Sequence, residues 1–133
     1  MRFTCGEVWT STTGRRGVVI AIDDDGRSGR FLFGDNGDEN WLGFMELTQA
    51  GQWKPDTTGR QTKSAAELKA MLLQKMRQQA ACPPAMSVAI VALGSGKWRA
   101  DGVPPPSTHI AYADCSHYIG NLALWFGLLY DLA

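Results

Sequence analysis

From Tyr118 to Tyr130 the chain carries no charged residue, and this stretch limits the possible folds more than any other feature. Read as a helix, it puts Ile119, Leu122, Ala123, Phe126 and Tyr130 on one face, with Leu124, Trp125 and Leu128 on the others. A helix that is apolar on nearly all sides must be covered on more than one of them. It is too short to cross a bilayer, which takes roughly 20 residues, so protein has to cover it. Either it is sandwiched inside the molecule, or the stripe of Leu124, Trp125 and Leu128 is a contact face for another chain. Asp114 or Ser116 can cap its start, and the pattern predicts that it runs to about Leu132.

Upstream, Ser64-Ala65-Ala66-Glu67 has the form of a capping box, in which the hydroxyl accepts from the third helical amide and the Glu reaches back. Leu68, Met71, Leu72 and Met76 then share one helical face, with Lys69, Lys75 and Arg77 mostly off it, and Pro83-Pro84 stops the helix. Ser87 to Leu93 reads as a strand, Gly94-Ser95-Gly96 as a tight turn, and Lys97 to Val103 as the antiparallel partner. Pro104, Pro105 and Pro106 break the chain before the last helix.

The N-terminal part reads as β. Val8-Trp9, Val18 to Ile22, Arg30 to Phe33 and Asn40 to Phe44 are short runs of β-branched and aromatic residues. Asp23-Asp24-Asp25-Gly26 and Gly34-Asp35-Asn36-Gly37 punctuate them as turns. Lys54 to Lys63 has no large apolar residue and reads as a linker. The expected fold class is α+β. A small β-barrel or meander covers residues 1–53, a linker covers 54–63, and an α-β-β-α unit packed on the first lobe covers 64–133.

Gly6-Glu7-Val8-Trp9, Gly17 to Ile22, Gly29 to Phe33 and Trp41-Leu42 together give strand spacing and glycine placement that resemble an SH3-like small barrel over roughly residues 5–50. The resemblance implies a fold that binds peptides, proteins or nucleic acids and leaves open which. The whole chain is similar to small proteins of unassigned role common in bacterial and prophage genomes, a likeness that implies no activity.

Composition narrows the partners. The 133 residues include 13 Lys and Arg against 13 Asp and Glu, for a net charge of zero, and the two halves split this balance almost evenly. Neither half has the basic excess that phosphate binding needs. Five Trp, five Phe and three Tyr suit both a stable core and a binding face. Cys5, Cys82 and Cys115 are an odd, sparse set without a CxxC pair, which suits a reduced cytoplasm. Residues Met1 to Thr10 have no apolar leader-like region, and no membrane segment is expected.

No assembled catalytic, metal or cofactor signature stands out. Gly94-Ser95-Gly96-Lys97 lacks the earlier glycine of a phosphate-binding loop, since Val91 holds that place, and Trp98 stands where the motif needs Ser or Thr. Asp114-Cys115-Ser116-His117 groups an acid, a thiol and an imidazole near a helix start, but Cys115 and His117 are two apart and point to different sides. Cys82, His109, Cys115 and His117 could ligate one zinc only at an unfamiliar spacing. A calcium loop beginning at Asp35 would end at Glu46, but Gly37 replaces a ligand and Asn40 replaces the required glycine.

Arg15, Arg16, Arg27 and Arg30 with Trp9, Phe31, Phe33 and Trp41 could form a basic aromatic surface for a single nucleic-acid strand. The favoured reading is instead that alternate aromatics fill the barrel and the arginines pair with neighbouring acids, since acids and bases in these hairpins are near balance. The leading expectation is therefore a non-enzymatic protein-binding or self-associating module with Leu124, Trp125 and Leu128 as contact residues and no cofactor. The alternatives are a nucleic-acid-binding module using the barrel and, third, a small enzyme using Cys115 or a metal.

Overall fold

The β-branched and aromatic runs near the N-terminus pair with one another in sequence order. In a computed structural model that describes residues 2–34, 37–49, 52–56, 59–104 and 113–133, the chain divides into two units, Met1–Arg60 and Gln61–Ala133. The class is α+β.

The first unit contains β1 (Val8–Ser11), β2 (Arg16–Ile22), β3 (Ser28–Phe33), β4 (Glu39–Gly43), α1 (Phe44–Thr48) and β5 (Trp53–Pro55). The strands form one antiparallel sheet in the order β4-β3-β2-β1-β5. Alternation sends Val19, Phe31 and Phe33 to one face, where they join Phe3, Trp9 and Leu47 in a buried core. Phe3 lies edge-on to Trp9 and Phe31, with ring centroids 5.6 and 5.2 Å apart, an arrangement the ring quadrupoles favour. Among the described residues β4 and β5 pair with no further strand, so the sheet is not closed into a barrel.

Two features of this unit depart from the sequence expectation. The strand expected to reach Phe44 ends at Gly43, and Phe44 opens the short helix α1, whose Leu47 enters the core. The segment read as linker takes part in pairing. Its Lys54 and Pro55 belong to β5, in register with Thr10 and Trp9 of β1. A partner edge overrides weak local propensity.

The second unit contains β6 (Gln61–Lys63), α2 (Ala65–Met76), β7 (Ser87–Gly94), β8 (Lys97–Val103), α3 (Ala113–Leu129) and β9 (Tyr130–Leu132). The capping box is present: the Glu67 N–H donates to Ser64 Oγ at 3.2 Å, and the Ser64 N–H donates to Glu67 Oε1 at 3.1 Å. Leu68, Leu72 and Met76 are buried as their spacing requires, and so is Lys75, which the pattern had put off that face. A lysine stem can cover apolar surface in this way. The helix ends at Met76, well before Pro83. There the Gln78 and Gln79 amides bond back to Lys75 and Met76, tightening the last turn.

The hairpin follows its sequence signal. β7 and β8 pair from Ser87↔Val103 to Gly94↔Lys97, and Gly94 and Gly96 take the positive φ that the turn needs, at 94° and 79°. α3 packs on β8 at Gly102, where a Cβ would lie only 2.5 Å from Met86 Cε and 3.4 Å from Ile119 Cδ1. The last helix stops at Leu129 rather than near Leu132, because Tyr130–Leu132 leaves it to run parallel to β6. The Leu132 N–H donates to the Gly96 carbonyl at 2.8 Å and fixes that departure.

The cysteines need a correction. Cys82 and Cys115, 33 residues apart, are joined in a disulfide, and only Cys5 is free. Distance along the chain and the absence of a CxxC pair suggested unpaired thiols. The fold instead brings the loop after α2 to the first turn of α3.

Candidate functional site

α3 owes its inner face to spacing. Cys115, Ile119, Leu122, Phe126 and Leu129 recur at three- and four-residue steps and are all buried, with Ala123 beside them. Its N-terminal turn is tied to Cys82. With that face turned in, Gly120, Leu124, Gly127 and Leu128 form the outer stripe by the same periodicity. Leu124 is 71% exposed, and Trp125 and Leu128 are partly buried. Over Gly120 and Gly127 a Cβ would meet nothing within 4 Å, so the backbone there is open to close approach. The helix expected to be covered on more than one side thus leaves Leu124 exposed within a stripe that is otherwise partly buried. This surface has no titratable group between Tyr118 and Tyr130, and exposed Asn121 is the polar side chain beside Leu124.

The residues weighed for chemistry fall in different places. Cys115 is fully buried and disulfide-bonded, so it carries no thiol for nucleophilic attack or metal ligation. His117 is exposed on α3, and His109 lies outside the described residues, as do Asp35 and Asn36 of the acidic turn. Gly94-Ser95-Gly96-Lys97 is the β7–β8 turn.

The basic aromatic set is dispersed. Trp9 is in the core at 2% exposure. Arg16 is buried, with its Nε donating to Asp56 Oδ2 at 2.7 Å and its Nη2 to the Gly59 carbonyl at 2.6 Å. Arg27 lies 3.7 Å from Asp25, whose carboxyl is held below its usual range first by the backbone N–H of Arg27. Arg30 donates to Glu39 at 3.1 Å. Trp41, half exposed, is the cross-strand partner of Arg30. The Arg15 guanidinium sits over the Phe33 ring at 4.4 Å.

Arg15 leads to a feature that the sequence reading missed. It lines a pocket of about 280 Å³ together with Phe33, Asn40, Leu42, Glu46, Leu47, Gln52 and Trp53. These residues come from the turn before β2, from β3, β4 and α1, and from the start of β5, and no local pattern links them. A second hollow of about 350 Å³ lies between α2 and β7, lined mainly by small and aliphatic side chains such as Ala65, Ala66, Val88 and Ile90.

The chain matches no family model, no curated protein and no solved structure. No helix among the described residues is long and apolar enough to cross a membrane.

Proposed function

We propose that this protein is a non-enzymatic protein-binding module that associates with a second copy of itself through the outer stripe of α3. One observation carries the reading: Leu124 stands 71% exposed in the middle of a run without a single charge. A leucine so placed gains by burial, at roughly 25 cal/mol per Å² of apolar surface. The stripe has no charge that two copies would have to desolvate, and the chain's net charge of zero sets up no long-range repulsion between them. A two-fold axis lets the same patch serve both partners. The first unit, in this reading, is a barrel of the SH3-like kind left open between β4 and β5.

The test is Leu124→Glu, followed by sedimentation and circular dichroism. The expected result is a smaller particle with unchanged helix content, because a charge at a desolvated contact is costly. A particle of unchanged size overturns the reading.

A further inference from the structure

Among the described residues, neither edge strand of the first unit's sheet, β4 or β5, pairs with a further strand, and the two edges differ. β5 carries Lys54 and Pro55, residue types that discourage pairing at an edge. β4 has neither, and its one charge, Glu39, is taken up by Arg30. Side chains alternate along β4. Asn40 and Leu42 line the 280 Å³ pocket with buried Phe33 and Leu47, beside Trp53 and Gln52, and the Arg15 guanidinium lies over the Phe33 ring at 4.4 Å. Trp41 takes the other face and is 50% exposed. On the pocket rim Glu46 is exposed and has no side-chain partner among the described residues.

We propose that β4 accepts an added strand: an extended segment of a partner protein that seats a bulky apolar side chain in the pocket. A Lys or Arg two residues away, on the same face of that segment, meets Glu46. Backbone bonds to β4 supply affinity, and alternate side chains supply specificity. One strand accounts for four separate observations among the described residues: the edge without a further strand, the pocket beside Phe33, Leu47 and Trp53, the half-exposed Trp41 and the Glu46 carboxylate without a side-chain partner. A small molecule in the pocket would leave the edge and Trp41 uncovered. A second copy's β4 would bring Glu39, Asn40, Trp41, Leu42 and Gly43, with no cation for Glu46. The partner is therefore a different, basic-apolar sequence. This surface shares no residue with the α3 stripe, and neither reading depends on the other.

The probe is the capped peptide acetyl-Thr-Lys-Thr-Phe-Thr-Lys-Thr-amide, titrated into the full chain to about 1 mM, the weak end of specific binding, and followed by NMR. The expected shifts fall on the amides of residues 39–43 and on the Trp53 indole. Replacing both lysines with Glu weakens binding about tenfold or more, as loss of a charge-assisted contact should. Glu46→Lys, an exposed change that leaves the fold intact, reverses that preference. Replacing alternate Thr with Pro abolishes binding by removing strand donors. The proposal is overturned by any of three results: no shift at residues 39–43, equal shifts from the Lys and Glu peptides, or shifts of the same amides with protein concentration alone, which would seat a second copy there.

Discussion

Arg16 and Asp56 form an ion pair inside the first unit, 2.7 Å apart, with side-chain exposures of 5% and 2%. Asp56 also accepts from Thr10 Oγ1 at 2.5 Å, and Arg16 reaches the Gly59 carbonyl. The pair ties the segment after β5 to β1 and β2. Its charges are nearly out of water, so removing one partner strands the other.

Asp56→Leu and Arg16→Met should therefore each destabilise the protein by about 3–5 kcal/mol. The double change Arg16→Met with Asp56→Leu should cost less than the two single losses added together, since no buried charge remains unpaired. Urea unfolding of the three variants measures this. Additive losses would show that the two groups act independently.

The Cys82–Cys115 bond closes a loop over a separation of 33 residues. Chain entropy alone makes such a closure worth about 3–4 kcal/mol. Reduction, or Cys82→Ala with Cys115→Ala, should lower Tm by about 10 °C, while Cys5→Ser, at an exposed free cysteine, should leave it unchanged. Thermal melts with and without a reductant check both statements.

Glu67 gives α2 an acid-sensitive start. The backbone N–H of Ser64, foremost, holds the Glu67 carboxyl below its usual value. The folded helix thus binds that proton less well than the unfolded chain does. The contribution is complete above the unfolded value and is lost as pH falls through the lowered one. Glu67→Gln should remove this part of the pH dependence but keep an acceptor for Ser64. Ser64→Ala should cost about 1 kcal/mol near neutral pH. Stability measured against pH for the three proteins separates these effects.

The two faces of α3 predict opposite outcomes for truncation. Phe126 is 1% exposed, so Phe126→Ala should cost about 3–5 kcal/mol. Leu124 is 71% exposed, so Leu124→Ala should change the stability of the single chain by no more than about 0.5 kcal/mol. Its effect should appear instead in sedimentation, as weaker association. Equal losses from the two changes would mean that Leu124 is packed within its own chain.

Features that depend only on residues a few positions apart were legible in the sequence. The capping box at Ser64 and Glu67 is an i, i+3 relation, the Gly94–Gly96 turn a matter of allowed φ, and the inner face of α3 a matter of period. In each case the neighbours that decide the conformation are adjacent in the chain, so the tertiary fold had little left to add.

Other features had no local signature. β5, β6 and β9 are three residues each, too short to declare themselves, and they exist because β1 pairs with the first and the other two pair with each other. The bond between Cys82 and Cys115, the ion pair between Arg16 and Asp56, and the pocket that joins Arg15, Glu46 and Trp53 all link residues far apart in sequence. By itself the sequence determined the two long helices, the β7–β8 hairpin and the inner face of α3, but not the short helix α1, which begins where a strand was expected. Only the tertiary structure decided which charges are buried, which cysteines meet and which apolar residues stay in water, because those outcomes depend on what each side chain finds opposite it once distant segments have paired.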